Sequence, residues 1–209
     1  MAKKKSAVKA GSTRRGARRW AQADADERRR LIVDAALQLL NRHGLDAVTM
    51  RRVASQLGVG AMTLYTYVQG QHDLHHAMIQ RGFEMMDENC KANSTLNQAQ
   101  RWRGGARSYL SFAVGNPNLY RLMFDTPMPE GGGDLLAAGF EPLVEKVRER
   151  LREQGVKSRS LDRQALTAAG RFWIALHGLA SLAIAERLDV LGCDVDALLD
   201  DLLSHVAPD

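Results

Sequence analysis

Apolar residues along this 209-residue chain recur at the spacing of helices, and a strict alternation of apolar and polar residues is never sustained. From Ile32 to Leu40 they follow i, i+3, i+4, i+7 and i+8, the buried stripe of an amphipathic helix. Glycines or proline-containing stretches separate such segments. The pattern predicts helices near 26–43, 50–57, 61–67, 71–91, 97–115, 117–125, 134–154, 161–187 and 194–206.

These elements predict an all-α protein of about nine helices. A three-helix head over 25–78 is expected to continue through a long fourth helix into a helical C-terminal domain over 79–209. Residues 1–24 hold almost no large apolar side chains, so the sequence predicts a flexible basic arm there. The segment 161–187 is apolar over most of its circumference, which predicts burial on several sides, in a core and against a partner.

The head carries the spacing of a helix-turn-helix. Thr49 offers an N-cap to its second helix, in which Ala54 is small where two helices would cross. Gly58, four residues later, can adopt the left-handed conformation of a tight turn. Leu64 is then an apolar anchor for the helix that follows. The sequence therefore predicts a helix-turn-helix that binds DNA.

Charge supports this prediction. Residues 1–30 contain eleven lysines and arginines against three acidic residues, whereas the whole chain carries +5, so the remainder is net acidic. A positive end on an acidic body suits a polyanionic partner, although a solubilising tail explains the same run. Two cysteines without CxxC spacing and the lack of an apolar run of roughly 18–20 residues predict a soluble cytoplasmic protein.

Several short strings of the head surround the helix-turn-helix residues, and weaker ones follow in the C-terminal part. They are Arg30-Leu31-Ile32, Ala35-Ala36, Gly44, Val48-Thr49-Met50, Val53-Ala54, Leu57-Gly58-Val59, Thr63-Leu64-Tyr65, Leu74, Asn116 to Phe124 and Trp173 to Gly178. On these residues the sequence resembles the TetR/AcrR family of bacterial regulators. The resemblance covers roughly residues 28–78 and continues more weakly into a C-terminal subtype with a Trp…His-Gly motif.

The resemblance implies a homodimer that binds a palindromic double-stranded DNA operator, with one head in each of two successive major grooves. Such a protein is a transcriptional regulator, commonly a repressor, without a cofactor or an enzymatic activity. The candidate DNA contacts are Thr49, Arg51, Gly60, Ala61, Met62, Thr63, Tyr65, Tyr67 and Gln71. Arg51 is included because it or Arg52 could pair with a phosphate, although a solvated surface pair explains these two arginines as well.

Three of these positions depart from the usual family residues, since Gly60 replaces Ser, Gln71 replaces Lys and Tyr67 replaces His. The predicted recognition helix over 61–67 also lacks any Arg or Lys. Contact of Met62 or Thr63 with thymine methyl groups is therefore expected rather than recognition of guanine by arginine. The basic arm could supply the missing electrostatic attraction or could be a bystander.

The resemblance also implies that the C-terminal domain encloses a small, apolar or aromatic effector and dimerises through helices 161–187 and 194–206. An effector would release the operator by favouring one conformation. An ordinary packed core explains the same side chains. The candidate effector-pocket residues are Trp102, Tyr109, Phe112, Tyr120, Met123, Phe124, Met128, Phe172, Trp173 and His177.

Other functions remain open at this stage. His72, His75 and His76 have a spacing that could hold a transition metal, but an exposed polar face explains them, and we expect no metal site. A small helical enzyme lacks support, because no catalytic or phosphate-binding motif occurs. A helical protein that binds DNA without sequence preference is the third candidate. The sequence identifies neither operator, effector nor regulated genes, and it does not separate repressor from activator.

Overall fold

The structure is a computed structural model that describes residues 16–91, 98–127 and 132–206, and the regular structure within those ranges is entirely helical. The predicted all-α fold is confirmed. In chain order the helices are α1 (16–22), α2 (Ala25–His43), α3 (Met50–Leu57), α4 (Ala61–Leu64), α5 (Gln71–Lys91), α6 (Gln98–Gly115), α7 (Pro117–Phe124), α8 (Gly132–Glu153), α9 (Ser158–Ile184), α10 (Leu188–Leu191) and α11 (Val195–Val206).

Contacts divide the chain into two compact units. The first unit combines Met1–Gly82 with Asn118–Pro129, and the second combines Phe83–Pro117 with Glu130–Asp209. Residues 118–129 thus group with the head, although the sequence assigned them to the C-terminal domain. The cause is packing of α7, in which Leu119, Tyr120 and Met123 are fully buried. Within the described ranges no helix is long and apolar enough to cross a membrane.

The helix cap and the turn that the sequence predicts in the head are both present in the structure. The Thr49 hydroxyl accepts a hydrogen bond from the Arg52 backbone N–H at 3.3 Å, which confirms the predicted N-cap of α3. Gly58 adopts φ 73° and ψ 30°, the predicted left-handed turn. Asp24 caps α2 in the same way as Thr49, by accepting from the Glu27 N–H at 2.8 Å.

The N-terminal segment is a correction to the sequence prediction. Residues 16–22 form a helix, whereas a flexible arm was predicted to extend to residue 24. Trp20 is the reason: its side chain is only 8% exposed and packs edge-on against the Tyr67 ring, with 5.4 Å between the ring centroids. A single large aromatic side chain can hold this helix in place because it packs against an aromatic residue of the head. Residues 1–15 of the predicted arm lie outside the described residues.

The second unit is built around α9, which packs against α8, α6 and α11. Small residues of α9 (Ala165 and Ala169) meet Val144 and Val147 of α8 in its core. Helix α9 ends at Ile184, earlier than predicted, because the chain turns at Glu186, whose φ is 55°. The short helix α10 that follows was not predicted.

The prediction that segment 161–187 is buried in a core is confirmed, and its predicted contact with a partner stays a prediction. One face of α9 remains exposed in the single chain: Leu166 is 57%, Ile174 65% and Leu182 40% exposed. Burial of these side chains would require a surface that the described residues do not supply. The other faces of α9 form the core of the second unit.

Candidate functional site

Helices α3 and α4 form a helix-turn-helix whose inner side is well packed. Leu64, the predicted anchor, is fully buried, and so is Val68 just beyond α4. Helix α4 is one turn long, shorter than the predicted 61–67. Its path continues as single turns in which the N–H groups of Tyr65, Thr66 and Tyr67 reach the carbonyl three residues earlier.

The outer side of α4 is exposed and uncharged. Met62 is 80% and Tyr65 49% exposed, and Thr63 beside them is also exposed. Gly60 caps α4 with an extended backbone and no side-chain hydrogen bond, and Ala61 is half-buried. This surface can make van der Waals and hydroxyl contacts, but it cannot form an ion pair.

Polar groups at the start of α3 are also exposed. Arg51 and Arg52 are exposed, and neither makes an ion pair within the part of the chain that the structure describes. Thr49 is exposed as well, and its capping role uses the hydroxyl oxygen as acceptor, which leaves the hydroxyl proton available to donate. The three side chains fit a contact with phosphate oxygens.

The two remaining candidates for DNA contact are engaged within the head. The Tyr67 hydroxyl accepts a hydrogen bond from the Arg28 guanidinium at 2.8 Å, and its ring packs against Trp20. The Gln71 side-chain amide donates to the Val48 carbonyl oxygen and lies 3.0 Å from His75 Nε2. Both side chains are half-buried, and their hydrogen bonds join parts of the head to each other. Sequence patterns do not separate such an internal role from a DNA contact.

A partly buried ion pair joins α2 to the start of α5, and the sequence analysis did not predict it. Arg29 donates to both carboxylate oxygens of Asp73, at 3.1 and 2.7 Å, and also to the Tyr67 carbonyl oxygen. Asp73 accepts a further bond from the Gln69 N–H at 2.8 Å. The hydrogen bonds from Arg29 lower the pKa of Asp73 below its ordinary value, and the same pair raises the pKa of Arg29.

Replacing Asp73 with asparagine should lower the free energy of unfolding by about 1.5–3 kcal/mol at neutral pH, the range for hydrogen bonds to charged groups. A depressed folded-state pKa means that this stabilisation is present above the ordinary aspartate pKa and is lost as the pH falls through the folded-state pKa. Denaturant titrations of Asp73→Asn and the wild type should therefore differ at pH 7 and converge in acid. Asp34→Asn, at an exposed position of α2, is the matched control. An equal effect of both substitutions would contradict the role of the pair.

His75 of α5 is partly buried and lies beside other side chains of the head. Burial lowers the pKa of His75, and the nearby His72 lowers it further. Its Nε2 lies within hydrogen-bond distance of the Gln71 amide, so one of the two ring nitrogens already has a partner. No group of three potential metal ligands lies together in the described part of the chain.

An aromatic cluster lies in the second unit. Trp102 meets Phe172 edge-on at a centroid distance of 6.0 Å, and Trp173 lies 5.3 Å from the His177 ring. The Tyr109 hydroxyl is 3.5 Å from His177 Nδ1, which places one polar pair among the rings. Phe140 of α8, which the sequence did not single out, also packs against Trp173.

The predicted effector-pocket residues do not all fall in that cluster. Tyr120, Met123 and Phe124 belong to the first unit, where Tyr120 and Phe124 pack against each other at 4.8 Å. Phe112 belongs to the second unit and is fully buried, and Met128 lies outside the described residues. A surface groove of about 310 Å³ is lined instead by Leu151, Arg163, Gln164, Thr167, Ala168 and Arg171, none of which was predicted.

Comparison with known proteins identifies the family. Residues 32–78 match the model for bacterial regulatory proteins of the tetR family, and residues 102–206 match the tetracyclin repressor-like C-terminal domain. An uncharacterized HTH-type transcriptional regulator from Mycobacterium tuberculosis is 32% identical over 183 residues, which is 86% of this chain and 79% of that protein. The chain belongs to the TetR family.

Solved structures agree with the fold of a TetR-family protein. A protein of unknown function from Rhodococcus sp. RHA1 superposes with a TM-score of 0.70 at 23% identity, covering 89% of this chain and 97% of that one. BioQ, solved with its double-stranded DNA operator, superposes with a TM-score of 0.57 at 20% identity, covering 88% and 100%. Family membership makes this chain a DNA-binding transcriptional regulator with its helix-turn-helix in α3 and α4.

Proposed function

We propose that this TetR-family regulator is a homodimer that binds a palindromic operator through the outer side of α4 and leaves it when a small molecule binds the second unit. The observation that carries the proposal is the exposed, uncharged α4 surface (Met62, Thr63 and Tyr65) on a firmly packed helix-turn-helix. Repression is the mode that fits release by an effector. This function accounts for the fold, the exposed head and the exposed face of α9 together.

The chemistry of the α4 surface favours particular bases. Arginine commonly recognises guanine through two hydrogen bonds in the major groove, and α4 has no arginine. Methyl and thioether groups of Thr63 and Met62 can instead pack on the thymine 5-methyl group. The Tyr65 hydroxyl can bond a base edge or a phosphate. We therefore expect thymine at contacted positions of each half-site.

Phosphate contacts supply orientation rather than sequence preference. Thr49 and Arg51 lie at the start of α3, where a hydroxyl and a guanidinium can approach the same DNA strand. Tyr67 and Gln71 act indirectly in this proposal, by holding the end of α4 and the start of α5 in place. In this proposal, the replacement of the usual family residues by Tyr67 and Gln71 affects the rigidity of the head rather than a direct contact with DNA.

Dimerisation is proposed through the exposed face of α9, with α11 beside it. Leu166, Gly170, Ile174, Gly178 and Leu182 recur every fourth residue and form one ridge of the helix, with large and absent side chains alternating. Helices that cross pack such ridges into each other's grooves. A β-carbon added to Gly170 or Gly178 would meet no atom of the described residues within 4 Å. We call the gaps at Gly170 and Gly178 notches. Packing among the described residues does not require them, and they fit the large side chains of the same ridge on a second copy.

The aromatic cluster of the second unit is the proposed effector site. Its rings (Trp102, Phe172 and Trp173) favour a flat apolar ligand, and the Tyr109–His177 pair can supply one directed hydrogen bond. Because α5 contributes residues to both units, a change in the second unit can reach the head along one continuous helix. The effector shifts the equilibrium by its differential affinity for the two conformations.

Tyr109→Phe removes only the hydroxyl of the polar pair and should weaken effector-induced release while leaving operator affinity unchanged. Loss of one hydrogen bond of about 1 kcal/mol raises the effector concentration at half release roughly fivefold. The measurement is release of labelled operator by a panel of small phenols and aromatic carboxylates. Tyr120→Phe, in the first unit, is the comparison variant. A shift with Tyr120→Phe and none with Tyr109→Phe would place the effector elsewhere.

The experiment that tests the proposed function is a comparison of affinities at physiological salt. Operator DNA selected by the protein from a random pool should bind about a thousandfold more tightly than unselected DNA. A protein that binds DNA without sequence preference shows a ratio near one, and its binding collapses as salt rises. That outcome would overturn the proposal.

A further inference from the structure

The surface groove of the second unit lies between the end of α8 and the first half of α9. Its volume is about 310 Å³, at the lower end of the range in which proteins bind small molecules. Part of its lining is apolar, because Leu151 of α8 and Ala168 of α9 pack at the edge of the core of this unit. None of its lining residues belongs to the aromatic cluster. The groove is therefore a concave surface that the proposed function does not use.

Two arginines of α9 line the same groove. Arg163, Thr167 and Arg171 recur at every fourth residue, so they form one row along the helix, about 12 Å long between the α-carbons of the two arginines. Both guanidinium groups belong to exposed residues, and neither has a hydrogen-bond or ion-pair partner among the residues that the structure describes. The groove thus combines an apolar part with two positive charges that the described residues do not neutralise.

The neighbouring arginines of α8, in contrast, are paired within the chain. Arg148 forms an ion pair with Asp162 at 2.9 Å, and Arg152 forms one with Glu145 at 3.2 Å. Residues 150–171 nevertheless hold six lysines and arginines against two acidic residues, although the chain beyond residue 30 is net acidic. The excess positive charge of this segment favours an anion over a neutral molecule or a cation in the groove.

We propose that this groove is a second ligand site, which binds an organic anion made of a carboxylate on an apolar body. The planar guanidinium groups of Arg163 and Arg171 can each donate two parallel hydrogen bonds to a carboxylate. The apolar body of the ligand covers the carbon surface of Leu151 and Ala168 and removes it from water. The site is separate from the proposed effector site, and it does not depend on operator binding.

A matched pair of probes tests whether the site selects an anion. The first probe is 2-naphthoate, and the second is 2-naphthamide, which has nearly the same shape but no charge. Titration calorimetry of the wild-type protein should show saturable binding of 2-naphthoate, with an affinity at least about tenfold higher than that for 2-naphthamide. Equal affinities for the two probes would overturn the proposal, and so would a lack of 2-naphthoate binding.

Removing the two positive charges of the groove tests the role of the arginines. The double variant Arg163→Gln and Arg171→Gln should bind 2-naphthoate at least about tenfold more weakly than the wild type, because it loses two charged contacts. The control variant Arg101→Gln and Arg187→Gln loses the same charge at exposed positions of the second unit and should keep the wild-type affinity. An equal loss of affinity in both variants would overturn the proposal, since the effect would then follow net charge.

Filling the groove without changing its charge tests the location of the site. Thr167 is exposed between Arg163 and Arg171, so Thr167→Trp can occupy the groove without entering the core. This variant, shown to be folded by circular dichroism, should bind 2-naphthoate at least about tenfold more weakly, whereas Tyr109→Phe in the aromatic cluster should bind it as the wild type does. Loss of binding with Tyr109→Phe and full binding with Thr167→Trp would place the anion in the aromatic cluster and overturn the proposal.

Discussion

Replacing Ile174 with glutamate is expected to yield a monomer that no longer binds a complete operator tightly. Ile174 is 65% exposed at the centre of the α9 ridge, between Gly170 and Gly178. In a symmetric dimer this position meets its own copy or a nearby notch, so the substitution places two carboxylates in an apolar contact. Burying an unpaired charge costs several kcal/mol, which corresponds to a dimer dissociation constant at least a hundredfold higher.

Sedimentation velocity over a range of protein concentrations measures this change, and operator binding is followed in parallel. Val114→Glu is the matched control, because Val114 is also an apolar side chain of the second unit, 53% exposed, on α6. It should remain dimeric. A dimer that survives Ile174→Glu as well as it survives Val114→Glu would contradict the proposed interface.

Adding methyl groups to the notches gives a more selective form of the same test. The methyl groups of Gly170→Ala and Gly178→Ala would contact none of the residues that the structure describes, and each substitution improves helix propensity by about 1 kcal/mol. The chain should therefore not be destabilised, whereas the dimer should weaken if helices approach closely at the notches. We expect each variant chain to be more resistant to unfolding than the wild type and the variant dimer to dissociate more readily. Unchanged or tighter dimerisation would show that the notches do not receive the partner's side chains.

The double variant Thr63→Ala and Tyr65→Ala should lose sequence-specific binding while remaining a folded dimer. Both side chains are exposed, and their removal leaves the buried anchor Leu64 in place. Contacts with a correct base pair are worth about 1–3 kcal/mol each, so two side chains in two heads account for a loss of a hundredfold or more. Non-specific affinity should change little, because neither side chain carries charge.

Nuclease footprinting on the selected operator measures the loss, and the same variant is assayed by sedimentation to confirm the dimer. Thr66→Ala is the control, since Thr66 is exposed beside Tyr65 but is not among the predicted base contacts. It should retain the footprint. A footprint that persists in the double variant would show that α4 is not the recognition helix.

Much of the head could be predicted from local sequence. The N-cap of Thr49, the left-handed turn at Gly58 and the buried anchor Leu64 are each decided by one residue and its near neighbours. Long amphipathic segments such as α5 and α6 were placed within a few residues, because their apolar spacing repeats over several turns. The family resemblance in the head rests on these same positions.

Features that depend on distant partners could not be predicted. Helix α1 forms because Trp20 packs on Tyr67, far along the chain, and the Arg29–Asp73 pair joins residues of two helices. The same limit applies to Gln71, whose amide binds the Val48 carbonyl rather than facing outward. Aromatic residues were grouped into one pocket by residue type and by the family resemblance, whereas contacts divide them between two units. Local patterns specify helices and turns, but packing decides which face each side chain occupies.

Recognition of bases by the uncharged helix α4 can be tested by changing the DNA alone. Each thymine of the selected operator is replaced by uracil, which removes only the 5-methyl group, and wild-type affinity is measured. Loss of one buried methyl costs about 0.8 kcal/mol, so symmetric replacement in both half-sites should weaken binding roughly fifteenfold at a contacted position. The effect should disappear in a Met62→Ala, Thr63→Ala variant. Full affinity after every replacement would contradict recognition by the α4 surface.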